Sequence, residues 1–167
     1  MFKRRPTPAM LVALLALFAG TAGVSYAATQ GPPSFTARGV ALVSGTAFSP
    51  TPLPISGANA SAISNHGMTV SGTTHVVVPV SGNYLVTLNG NCNGGAASPR
   101  FRVREGFSTT AGPIHLDVGG AAGNPSLAGA NTVHLAAGAR LGMSVSQTGA
   151  TVNCGATLGV NLLSADA

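Results

Sequence analysis

His75-Val76-Val77-Val78-Pro79-Val80-Ser81-Gly82-Asn83-Tyr84-Leu85-Val86-Thr87-Leu88 is the stretch whose reading decides the fold class. Its first half is a run of β-branched residues closed by a proline, and Ser81-Gly82-Asn83 has the composition of a turn. Beyond the turn, Tyr84, Val86 and Leu88 fall on one parity and Leu85 and Thr87 on the other. Strand side chains alternate between two faces, so the stretch reads as two strands joined tightly, the second with an apolar face. The same pattern recurs outward. Upstream, Phe35 to Val43 and Met68-Thr69-Val70 are strand-like, while Ser49 to Asn59, with Pro50, Pro52 and Pro54, reads as a loop or edge segment where missing backbone donors do no harm. Downstream, Asn89 to Ser98 reads as a Gly/Asn loop holding Cys92. Phe101 and Val103 then alternate with Arg100, Arg102 and Arg104; Ile114, Leu116 and Val118 alternate with His115 and Asp117; Leu141, Met143 and Val145 alternate with Gly142, Ser144 and Ser146. Val133 and Leu135 add a short strand before an Ala136-Ala137-Gly138 turn, and Leu158, Val160 and Leu162 form the last strand. No stretch of twelve residues carries the i, i+3, i+4, i+7 spacing of an amphipathic helix. Eight to ten short strands in about 140 residues predict an all-β sandwich or jelly roll.

Composition narrows the function. With 167 residues, 45% hydrophobic and 7% charged, the chain suits one domain with a real core, and its 23 glycines show no three-residue period that would make a collagen rod. Lys3-Arg4-Arg5, the apolar run from Ala9 to Ala19, and Ser25-Tyr26-Ala27 are the three parts of an export signal, predicting cleavage after Ala27. The apolar run is about half of the roughly 20 residues a membrane span needs. The predicted division is therefore a signal peptide over 1–27, a short leader over 28–33 and a head domain over 34–167, secreted, periplasmic or on the cell surface, with no membrane span in the mature chain. Without the signal, Arg38, Arg100, Arg102, Arg104 and Arg140 face Glu105, Asp117 and Asp166, a net charge of +2, so the basic isoelectric point does not argue for a nucleic-acid partner. Three acidic residues also leave little for carboxylate catalysis or oxygen-ligated metal sites, and neither a catalytic residue, a metal nor a cofactor is expected.

Export makes the two cysteines informative, because an oxidising compartment favours a Cys92–Cys154 disulfide. A catalytic thiol or half of a metal site is disfavoured, since neither cysteine lies in a C-x-x-C or beside a histidine. His66, His75, His115 and His134 show no paired metal-ligand spacing. Arg100, Arg102 and Arg104 are the more informative set, because period two puts three guanidinium groups on one strand face. Such a stripe suits an anionic glycan or envelope polymer, held through forked hydrogen bonds. The competing reading is an edge strand kept from aggregating by its charges, partly offset by Glu105.

The order of elements resembles the head domain of the complement component 1q and tumour necrosis factor family. Ser34-Phe35-Thr36-Ala37 is similar to its first strand, and Val78-Pro79-Val80-Ser81-Gly82-Asn83-Tyr84-Leu85-Val86 to its strand, proline, glycine and aromatic signature. Leu135 to Val145 resembles its leucine, turn glycine and strand element, and Gly155 to Leu163 its terminal core strand. The resemblance covers nearly all of residues 34–163 and is nearest to the C-terminal heads of bacterial collagen-like exosporium glycoproteins. It departs from the family at Ala139, which replaces a turn acid, in its sparse aromatics and in having no collagen stalk. The resemblance implies a ten-strand jelly roll assembling as a homotrimer with an apolar axis, which places Gly159, Asn161 and Leu163, the parity of the last strand turned away from the core, at the axis. The function expected is a non-enzymatic surface or adhesion head. The alternative is a monomeric carbohydrate-binding β-sandwich module, against which the absence of Trp counts.

Overall fold

The alternation read above becomes eleven antiparallel strands in a computed structural model, which describes residues 31–44, 50–93, 96–106, 112–121 and 126–166. The expected export signal lies outside the described residues. One sheet runs in the order β3 (Ala60–His66), β1 (Ser34–Val43), β11 (Val152–Ala165), β6 (Gly82–Cys92), β9 (Ser126–Leu135). The other runs β4 (Thr69–Ser71), β5 (His75–Val77), β10 (Arg140–Gly149), β7 (Ala96–Glu105), β8 (Ile114–Gly119), with β2 (Thr51–Leu53) also paired to β10. First and last strands are thus neighbours, and the two sheets enclose one core, the arrangement of a jelly-roll sandwich.

The core follows the predicted parities. Tyr84, Val86 and Leu88 of β6 and Leu158 and Val160 of β11 are buried from one sheet, and Phe101, Val103, Leu141, Met143 and Val145 from the other. Burying each such side chain contributes about 1.5–3 kcal/mol before entropy is charged against it. Tyr84 is fully buried, and its hydroxyl donates to the Val80 carbonyl at 2.8 Å, so the ring enters the core without stranding its polar end. Buried Gln147 donates through Nε2 to the carbonyls of Val43 and Ala150, tying the end of β1 to the β10–β11 turn.

Three local expectations are corrected, and one strand was not expected. The turn before Tyr84 falls at Pro79 and Val80, because Gly82 and Asn83 already belong to the β6 ladder. Asn89 to Cys92 is not loop but the continuation of β6, with Asn89 and Asn91 outward and Gly90 inward beneath the Phe101 ring. The short strand at Val133 is the end of a ten-residue strand, β9 (Ser126–Leu135), in which Gly129 lies where Leu116 and Val118 of β8 would meet a Cβ. Strand β3, polar and without alternation, carried no signal and pairs on the rim of β1.

Candidate functional site

Two outer faces are available for function, and charge divides them. The five strands of the β3-β1-β11-β6-β9 sheet contain one Asp, Glu, Lys or Arg among them, Arg38. Strands β7, β8 and β10 hold Arg100, Arg102, Arg104, Glu105, Asp117 and Arg140.

On the charged face, the three predicted arginines stand on the outward parity of β7, since Phe101 and Val103 between them fill the core. β7 is hydrogen-bonded to β10 on one side and β8 on the other, so it is not an edge strand, and the stripe does not serve to protect an edge. Asp117, opposite Arg102 on β8, accepts from Arg100 Nε and Nη2 at 2.7 Å each and from Arg102 Nε at 3.2 Å. Burial pushes the Asp117 carboxyl up, but the hydrogen bonds and positive charges of Arg100 and Arg102 outweigh it and hold the group below the usual carboxylate range. Glu105 does not offset the stripe directly; its Oε2 lies 3.1 Å from His115 Nε2. Among the described residues Arg104 has no carboxylate partner, and its buried Nε makes no hydrogen bond. The stripe therefore carries an internal counter-ion, and it is Asp117, brought in by the β7–β8 pairing, rather than the sequence neighbour Glu105.

On the nearly uncharged face, outward positions of β11 alternate with core positions as expected. Asn161 is half-buried between Ser34 of β1 and Leu85 of β6, and Leu163 is 57% exposed at a register shift in the β11–β6 ladder. Gly159 is buried because the Thr87 side chain lies over it: a Cβ there would meet Thr87 Oγ1. Of the three axis candidates, two present side chains outward. Exposed Leu42 and Val40 of β1 extend the same face.

The remaining predicted groups do not converge. Cys92 and Cys154 form the expected disulfide, so neither thiol is free for chemistry. His134 pairs with Asp166 at 3.0 Å, His66 Nδ1 lies 3.5 Å from Ser34 Oγ, and His75 Nδ1 lies 3.0 Å from Thr74 Oγ1. Burial, helped by nearby Arg140, lowers the His75 pKa. Among the described residues no three His, Cys, Asp or Glu gather as metal ligands, and no helix is long and apolar enough to cross a membrane.

Compared with solved structures, the chain is similar to the tumour necrosis factor Eiger of S. frugiperda, with a TM-score of 0.61 and 17% identity over 82% of this chain and 96% of that one. It is similar to the globular domain of zebrafish complement 1qA protein, with a TM-score of 0.58 and 13% identity over 80% of this chain and 99% of that one. Murine APRIL at pH 8.0 gives a TM-score of 0.57 and 13% identity over 79% and 100% of the two chains. No family model matches the chain, and no curated protein matches it in sequence. Identities this low carry the fold alone: the chain has the jelly roll of the complement 1q and tumour necrosis factor heads. None of the three is a bacterial collagen-like head, so that narrower resemblance rests on the sequence motifs.

Proposed function

We propose that the chain is an exported, non-enzymatic head domain that assembles as a homotrimer through the outer face of the β3-β1-β11-β6-β9 sheet and serves surface structure or adhesion. The carrying observation is the segregation of charge: five strands share a single charged residue, whereas about a quarter of the residues of an ordinary soluble domain are charged. A sheet face of small, uncharged and partly apolar side chains, with Leu163, Leu42 and Val40 exposed on it, suits burial against copies of itself. Charges then remain on the opposite sheet, where they stay in water at the periphery. The disulfide and the resemblance to extracellular heads support a secreted, periplasmic or surface location.

In the same reading the Arg100–Arg102–Arg104 face is the contact surface for an anionic glycan or envelope polymer, with Asp117 as the internal ion that such a polymer displaces. Light scattering on the disulfide-intact protein at micromolar concentration tests the assembly. Three subunits is the expected mass, and a single-subunit mass overturns the reading.

A further inference from the structure

Arg38 is exposed at an outward position of β1, opposite Thr157 of β11 and Ser61 of β3. Three adjoining hollows, of about 430, 330 and 270 Å³, all have Arg38 in their walls, the size at which small-molecule sites begin, roughly 300 Å³. Gly155 forms the floor of the latter two. A Cβ there would sit 3.4 Å from Val40 Cγ2 and from the Gly39 carbonyl, and 3.7 Å from Asn91 Oδ1, so the missing side chain is what keeps the floor open. Asn89, Asn91 and Asn153 stand around it, and their carboxamides make no hydrogen bond among the described residues. No aromatic side chain lines the hollows.

Among the described residues no Asp or Glu pairs with Arg38, which leaves its guanidinium available to a ligand. The sequence has three Asp and Glu residues. Asp117 is held by Arg100 and Arg102, Glu105 lies 3.1 Å from His115, and Asp166 lies 3.0 Å from His134. A second copy of the chain, with the same three carboxylates engaged, has none to spare for Arg38. The hollow lies on the sheet face proposed for subunit contact and borders Val40 of that face, but Asn161 is six residues further along β11 than Gly155, roughly 20 Å away at strand rise, so a contact centred on Asn161 leaves the hollow open.

We propose that this hollow binds a uronic acid, its carboxylate on the Arg38 guanidinium and its ring hydroxyls on the carboxamides of Asn89, Asn91 and Asn153. A guanidinium grips a carboxylate through two parallel hydrogen bonds, and each carboxamide offers both donor and acceptor, as a sugar hydroxyl requires. Without an aromatic platform the ring is read by its hydroxyls and its charge. The inference rests on its own residues and requires any subunit contact to be centred toward Asn161, away from Val40.

Calorimetric titration of the disulfide-intact chain with glucuronate, methyl glucuronoside, glucose and acetate tests it. Glucuronate binds saturably and at least tenfold more tightly than glucose, which lacks the carboxylate, or acetate, which lacks the hydroxyls. Methyl glucuronoside binding as well as glucuronate assigns the site to a residue within a glycan, and binding of glucuronate alone assigns it to the free acid. Arg38→Ala abolishes binding, and Gly155→Val, which fills the floor while leaving every polar group, does the same. Both variants keep the wild-type melting curve and subunit mass, which separates loss of a ligand from loss of the fold. Equal affinity for acetate and glucuronate, no saturation with glucuronate, or a change of subunit mass on Arg38→Ala each overturns the proposal, the last by making the hollow a subunit contact.

Discussion

Cys92 and Cys154 stand directly opposite one another on neighbouring strands β6 and β11, their Cα atoms 4.0 Å apart. The bond joins strands the sheet already pairs, so it contributes by restricting the unfolded chain and not by creating the pairing. For a separation of 62 residues the chain-entropy model gives about 4 kcal/mol. Replacing both cysteines by Ala is expected to keep the fold and lower the urea midpoint by the equivalent of at most that amount. An unchanged midpoint would show that the unfolded chain is already restricted there.

Asn161 is the most direct lever on assembly. Asn161→Arg puts a guanidinium on the outward parity of β11 without touching the core-facing Val160. Three like charges near a threefold axis would repel one another with little water to screen them. The expected result is a drop from trimer to monomer in light scattering with the melting curve little changed. A variant that remains trimeric would remove Asn161 from the interface.

Asp117→Asn removes the counter-ion of Arg100 and Arg102 while keeping the side chain's shape. Retention on a sulfated matrix is expected to rise, with elution at higher salt, whereas replacing Arg100, Arg102 and Arg104 by Ser should abolish retention. If wild type, Asp117→Asn and the triple variant elute together, the face does not bind polyanions.

The same carboxyl gives a pH dependence of known sign. Its folded-state pKa lies below the unfolded value, so its stabilising effect is complete above the ordinary carboxylate range and is lost as pH falls through the depressed folded value. Thermal melts from pH 6 downward should show a steeper acid decline in wild type than in Asp117→Asn. Parallel declines would mean that the Arg100 and Arg102 contacts are fully screened in solution.

Gly90 faces the core beneath Phe101, where an added Cβ would come within 2.7 Å of the ring. Gly90→Ala is therefore expected to cost about 1–3 kcal/mol by overpacking. Combined with Phe101→Leu, which makes room, it should cost less than the sum of the two single changes in denaturant melts. Simple additivity would mean that the ring moves aside freely.

The strand parities were legible because burial on one face of a sandwich imposes a period of two, and Tyr84-Val86-Leu88 and Phe101-Val103 state it without ambiguity. The continuation of β6 through Asn89-Gly90-Asn91 was not legible. Those residue types favour turns locally, and only the Phe101 ring on the facing sheet explains a glycine at a core position. The arginine stripe was read correctly as one face. Its partner was not, because Glu105 is its sequence neighbour while Asp117 becomes its neighbour through the β7–β8 pairing. The Arg38 hollow had no signal at all: its parts come from β1, β6 and β11 and meet through two ladder registers.

β11, at the centre of its sheet, is the last strand of the domain in sequence, and its partners are the first strand, β1, and the sixth, β6. Ser34 lies opposite Asn161. A growing polypeptide therefore lacks the middle of one sheet until almost every residue of this domain has been made, and through that interval β1 and β6 each present an unpaired edge. Pairings between distant parts of a sequence also close slowly. The period of greatest hazard for this protein thus falls before β11 arrives, when intermolecular strand pairing competes with folding.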